Sequence, residues 1–156
     1  PQWTPPRTFI FNDSAYSFAH PCIEPDEKML FFTSDMKGGY GGTDIYVCFN
    51  IDNKWTDPIN LGPVINTAGN ELYPFYSENG DLYFSSDGHL GMGGYDIYKA
   101  KQKDGEWITV ENLKFPINSS GDDLSFYIMP DQKQGYFSSN RKGGKGMEDI
   151  YYFKRK

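Results

Sequence analysis

Apolar residues along this chain come in short blocks separated by clusters of Pro, Asp, Asn and Gly, and no block keeps a helical spacing. The blocks follow one plan. A short strand is predicted at 21–24, 73–76 and 126–129. A charged turn comes next: Pro25-Asp26-Glu27-Lys28, Ser77-Glu78-Asn79-Gly80 or Pro130-Asp131-Gln132-Lys133, the composition that tight hairpins need. The second strand, Met29–Ser34, Leu82–Ser86 or 135–139, is apolar enough to lie inside a sheet. A glycine-rich loop follows, then a third strand at 44–49, 96–100 or 149–153. Polar turns lead to a fourth strand opened by Trp55 or Trp107 and ending near Leu61 or Leu113. Connectors carrying Ile65-Asn66-Thr67 or Ile117-Asn118-Ser119 enter the next unit.

The plan is a repeat. FTSDMKGGYGGTDIY from Phe32, FSSDGHLGMGGYDIY from Phe84 and FSSNRKGGKGMEDIY from Phe137 say the same thing. Asp44, Asp96 and Asp149 stand 52 and then 53 residues apart, and Trp3, Trp55 and Trp107 keep steps of 52. Four antiparallel strands in a unit of about fifty residues is the signature of a β-propeller blade. The expectation is an all-β chain: one propeller region over 1–156, with three four-stranded blades at roughly 17–68, 69–121 and 122–156. Residues 3–10 stand at a fourth-strand position and are expected as an extra outer strand. Closed propellers use about four to eight blades. Three blades therefore predict a partial propeller or half of a six-bladed assembly, self-associating through open flanks.

The second strand, glycine loop and Asp-Ile-Tyr pattern resembles the TolB-type, Pro-Asp (WD-like) β-propeller repeat. DGHLGMGGYDIY, NLGPVINTAGNELYPF and SSNRKGGKGMEDIY are similar to propeller modules of OmpA-family envelope proteins, including the PorE-like lipoproteins of type IX secretion. The resemblance covers roughly residue 19 to the end. Repeat one departs with Asp13-Ser14-Ala15 in place of the Ile-Asn-Thr connector, and repeat three carries Asn140 where the others have Asp35 and Asp87. The resemblance implies a periplasmic, outer-membrane-associated protein with other envelope proteins as partners. It transfers no active site, because the shared residues build blades.

Composition adds limits. Twelve Tyr, twelve Phe, 17 Gly and 10 Pro suit a β protein with many tight turns. A net charge of -6 argues against nucleic acid or an anionic membrane as the main partner. No apolar run is long enough for a membrane helix, so no direct membrane insertion is expected. Cys22 and Cys48 fall in predicted strands and read as buried thiols, and His20 and His89 do not complete a zinc set with them.

Three features invite chemistry. Asp44, Asp96 and Asp149 recur once per unit, which points to fold maintenance by capping loop N–H groups; a catalytic site brings unlike groups together once. The glycine loops are followed by strands, whereas a phosphate cradle needs a helix. They are expected to supply positive φ and a tight return. They also lack the nine-residue iteration of calcium-binding β-helix repeats. The Ser85-Ser86 and Ser138-Ser139 pairs have neither a histidine base nor a strained elbow. No enzyme activity, metal or cofactor is expected.

Binding is expected on the face where glycine loops and connectors emerge together. It offers Tyr40, His89, Met92, Arg141, Lys142 and Met147, residue types that anchor protein contacts. A non-catalytic interaction scaffold is the leading reading. The alternatives are a carbohydrate-binding propeller, or the propeller part of a TolB-like peptidase or oligosaccharide lyase.

Overall fold

The computed structural model describes residues 2–155, and among them every helix or strand assigned is a strand. In sheet one, β1 (Phe18–Ile23), β2 (Met29–Ser34) and β3 (Asp44–Ile51) lie antiparallel in chain order, and β3 also pairs β4 (Lys54–Trp55) and β5 (Ile59–Asn60). Sheet two is β6 (Glu71–Tyr76), β7 (Leu82–Ser86), β8 (Asp96–Lys103) and β9 (Glu106–Asn112), again in order. Sheet three holds β10 (Asp123–Ile128), β11 (Gln134–Ser139) and β12 (Asp149–Lys154). The β3–β4 and β8–β9 hairpins turn on Asp52-Asn53 and Asp104-Gly105, all four residues in the left-handed region that two-residue hairpins require.

Each first strand carries the same bulge. The register slips between Ala19 and Cys22, Leu72 and Phe75, and Leu124 and Tyr127. His20, Tyr73 and Ser125 sit in the slips with φ of 51°, 52° and 52°. The extra residue bends each strand, and pairing resumes beyond it at Phe18 and Ala19, Glu71 and Leu72, and Asp123 and Leu124. That is why β1, β6 and β10 begin two or three residues before the expected starts at 21, 73 and 126.

Alternation then decides which sheet meets which. Neighbouring residues on a strand point to opposite faces. Phe31, Ile45 and Val47 of sheet one therefore meet Tyr76, Leu82, Phe84, Tyr98 and Ala100 of sheet two. Tyr83 and Ile97, on the opposite face of sheet two, meet Phe126, Ile128 and Phe137 of sheet three. Stacked rings tie both interfaces, Phe31 on Tyr76 at 5.1 Å and Tyr83 on Phe126 at 4.7 Å. Each fully buried aromatic contributes about 2–3 kcal/mol through its area alone.

Only sheet two has the expected four strands. The fourth strand of sheet one is broken into β4 and β5 around Pro58, which has no N–H to give the ladder. Residues 3–10 are not a strand. Among the described residues no strand pairs with them, and Pro5 and Pro6 remove two donors. Phe9 nevertheless reaches Phe32 at 5.9 Å, and with Phe11 it covers the outer face formed by Phe32, Tyr46 and Cys48. Trp3, in register with Trp55 and Trp107, is exposed, whereas those two pack on the cores around Phe32 and Phe31.

Candidate functional site

The recurring aspartates hold the glycine loops. Asp44 accepts hydrogen bonds from Tyr40 N at 2.7 Å, Gly41 N at 3.3 Å and Asn60 Nδ2 at 2.6 Å. Asp96 accepts from Met92 N at 2.7 Å and Gly93 N at 3.0 Å, and Asp149 from Lys145 N at 2.6 Å and Gly146 N at 3.1 Å. The carboxylate needs a bare backbone beside it: a Cβ at Gly91 or Gly144 would strike Asp96 or Asp149. Among the loop glycines only Gly38 and Gly143 have positive φ. The rest serve close approach, a correction to the expectation that these loops are glycine-rich mainly for φ.

The connectors are pinned from both sides. Asn66 Oδ1 accepts from Ile45 N at 2.8 Å while its Nδ2 donates to Ile45 O at 3.0 Å; Asn118 does the same to Ile97, at 2.8 Å twice. From the next sheet, His89 Nε2–H donates to Ile65 O at 2.8 Å and the Arg141 guanidinium donates to Ile117 O. Two unlike side chains thus hold the equivalent carbonyl. Arg141 also pairs with buried Asp123 at 2.6 Å and lies over Phe137 and Tyr151 at 4.8 and 4.9 Å. A further rung links each connector to the following loop. Asn70 N and Ser17 N each donate to the facing aspartate, Asp87 or Asp35, at 2.6 Å, and Asp122 N donates to Asn140 Oδ1 at 2.7 Å. The Asn140 departure is a swap, since amide and carboxylate trade places between Asn70–Asp87 and Asp122–Asn140.

Placed residue by residue, the expected binding face divides. His89 and Arg141 are spent on the connectors and the aromatic core. Tyr40, Met92, Lys142 and Met147 remain exposed, with Leu90 beside them. Trp55 and Trp107 pack on cores, as structural side chains. His20 lies against Tyr73 at 3.9 Å and burial lowers its pKa, while Cys22 and Cys48 are free thiols raised by burial, Cys48 to about 11. Among the described residues no cluster of His, Cys, Asp and Glu could hold a metal, and no helix is long and apolar enough to cross a membrane.

The feature that sequence reading missed is the far face of sheet three. Tyr136 and Ile150 occupy the repeat positions of Phe31 and Ile45, and of Tyr83 and Ile97, which are at most 1% exposed. Here they are 42% and 80% exposed, with Tyr127 and Tyr152 beside them. The free edge of β12 has no partner strand among the described residues. The third loop is also different. At Gly42 and Gly94 a Cβ would strike Asn70 or Asp122 of the following connector; Met147 stands at that position, 92% exposed. Met147 against two glycines was the signal available in the sequence. No protein-family model matches the chain, and no curated protein does.

Proposed function

We propose that the three sheets are successive blades of a TolB-like β-propeller, and that the chain is a non-catalytic scaffold for protein contacts in the bacterial cell envelope. The observation that carries this is the open flank of Tyr127, Tyr136, Ile150 and Tyr152 beside an unpaired strand edge. In the two preceding units the same positions are sealed by the next blade, so the flank is a docking surface for another blade. That blade enters on a connector without an amide or carboxylate at the place of Asn70, because Met147 fills the room. The envelope setting, with other envelope proteins as partners, rests on the resemblance to OmpA-family propellers. The scaffold reading is also supported by the recurring aspartates, whose oxygens face loop N–H groups in all three units.

The test is size-exclusion chromatography with light scattering on the 156-residue chain. The wild type should run above the 17.8 kDa of one chain, and the Ile150→Lys/Tyr152→Lys variant should return to it with an unchanged melting temperature. A wild type that stays monomeric at high concentration, indistinguishable from the variant, refutes the docking flank.

A further inference from the structure

Residues 3–9 read Trp-Thr-Pro-Pro-Arg-Thr-Phe, and residues 55–61, which carry the end of β4 and all of β5, read Trp-Thr-Asp-Pro-Ile-Asn-Leu. Pro5 and Pro6 match the break between β4 and β5, where neither Asp57 nor Pro58 pairs with β3. The segment therefore carries the pattern of a fourth strand. Its tryptophan is unused: Trp3 is 98% exposed, while Trp55 and Trp107 pack on cores. Phe9 stands at the repeat position of Leu61 and Leu113 and lies on Phe32, in the outward face of sheet one.

Sheet three offers the place such a strand would fill. The edge of β12 has no partner strand among the described residues. A cavity of ≈ 280 Å³ opens between sheets two and three, lined by Tyr83, Leu113, Phe126, Phe153 and Arg155 among others. Tyr83 and Leu113 repeat Phe31 and Leu61, which share the core of the preceding boundary with Trp107. Arg155 repeats Gln102, the register partner of Trp107. Among the described residues no tryptophan packs on the core between sheets two and three. The loops match as well. Asn70 and Asp122 lead into sheets two and three, and before sheet one their place is taken by Ser17, whose N–H donates to Asp35 as Asn70 N–H does to Asp87. Met147 fills the room that Gly42 and Gly94 leave for Asn70 and Asp122. Serine, the shortest of the three side chains, is the one that leaves space for it.

We infer that the free edge of β12 takes residues 3–9 of a second copy of this chain as its fourth strand, with Trp3 in the cavity and that copy's sheet one against Tyr136 and Ile150. The register follows from β5: Ile59 opposite Val47 and Asn60 opposite Tyr46 put Arg7 opposite Tyr152 and Thr8 opposite Tyr151. Phe9 N–H then reaches Ile150 O, as Leu61 N–H reaches Ile45 O and Leu113 N–H reaches Ile97 O, both at 3.1 Å. Exchanged reciprocally, the strands join two copies into a closed pair, each completing the other. The inference rests on the docking flank and names its occupant.

Sedimentation equilibrium on the full chain reads the pairing. Trp3→Ala should weaken it at least about tenfold through loss of an aromatic anchor, with unchanged melting of the dilute chain. Ser17→Asn should weaken it at least about tenfold by striking Met147, and Ser17→Asn/Met147→Gly should restore it to within about threefold of the wild type. Trp3→Ala or Ser17→Asn pairing as tightly as the wild type, or a double variant as weak as Ser17→Asn, overturns the inference; the docking flank still stands if Ile150→Lys/Tyr152→Lys abolishes that pairing. For a wild type that stays monomeric, an acetylated peptide of residues 2–12 is titrated into the chain under ¹H–¹⁵N spectra. Saturable shifts at Tyr151, Tyr152 and Phe153, lost with the Trp3→Ala peptide, sustain the strand and refute the flank alone. Absent shifts, or equal shifts from the Trp3→Ala peptide, overturn the strand as well.

Discussion

Replacing Asn118 by alanine tests the idea that the connector amides pin each connector to the sheet it leaves. Asn118 is fully buried. It gives Ile97 N–H an acceptor and Ile97 O a donor, each at 2.8 Å, and also donates to Asn112 Oδ1 at 2.8 Å. Alanine leaves the buried Ile97 N–H without an acceptor, at about 1–3 kcal/mol, while Ile97 O keeps its bond from Leu113 N at 3.1 Å and Asn112 Oδ1 its bond from Lys114 N. We expect a loss of about 1–3 kcal/mol, which for a chain of this length lowers Tm by roughly 2–12 °C. Asn118→Asp should be at least as severe at neutral pH, since it keeps the acceptor for Ile97 N–H but turns negative charge on Ile97 O and Asn112 Oδ1. Urea unfolding followed by circular dichroism gives both values. The repeat provides the control. Ile97→Ala should cost about 2–5 kcal/mol, but Ile150→Ala, the same position on the exposed flank, no more than about 0.5 kcal/mol. A loss below about 1 kcal/mol for Asn118→Ala would refute the argument that the amide supplies the acceptor that buried Ile97 N–H needs.

Two other outcomes follow from the same geometry. Alanine at the three aspartates should grade with their partners: about 1–3 kcal/mol for Asp44 and Asp96, Asp44 the larger because it also holds Asn60, and under about 1 kcal/mol for half-buried Asp149. Thermal melts rank the three, and a loss of partner binding by Asp96→Ala with unchanged melting would contradict a purely structural role. Stability should also fall in alkali. Burial raises Cys48 from 9.0 to about 11 and Tyr83 from 10.0 to about 12, so the folded state holds protons that the unfolded chain releases. Stability is full below pH 9 and declines as pH rises through 9–11 for Cys48 and 10–12 for Tyr83. Urea midpoints against pH should show that slope, and Cys48→Ala should flatten its first part.

The strand plan was open to sequence because it depends on local, period-two patterning and turn residues. Asp-Ile-Tyr after a glycine loop placed β3, β8 and β12 at their first residue. The Asp52-Asn53 and Asp104-Gly105 turns fall where polar residues interrupt apolar runs. Period alone, however, treats every copy as equal. It set residues 3–10 as a strand beside an absent neighbour, and it put His89 and Arg141 on a free face because both residue types anchor contacts elsewhere. Only tertiary structure showed that both donate to connector carbonyls, since those carbonyls lie 24 residues away along the chain. Asn140 read as a departure until Asp122 was found opposite it. Neither position has meaning without the other, and their pairing is a fact of register between connector and loop. The sequence by itself determined the repeat, the second and third strand of each unit and the aspartates that close the loops. The tertiary structure decided which copies of a repeated side chain are buried, because burial depends on whether a sheet lies beyond: Ile45 and Ile97 are sealed and Ile150 is not.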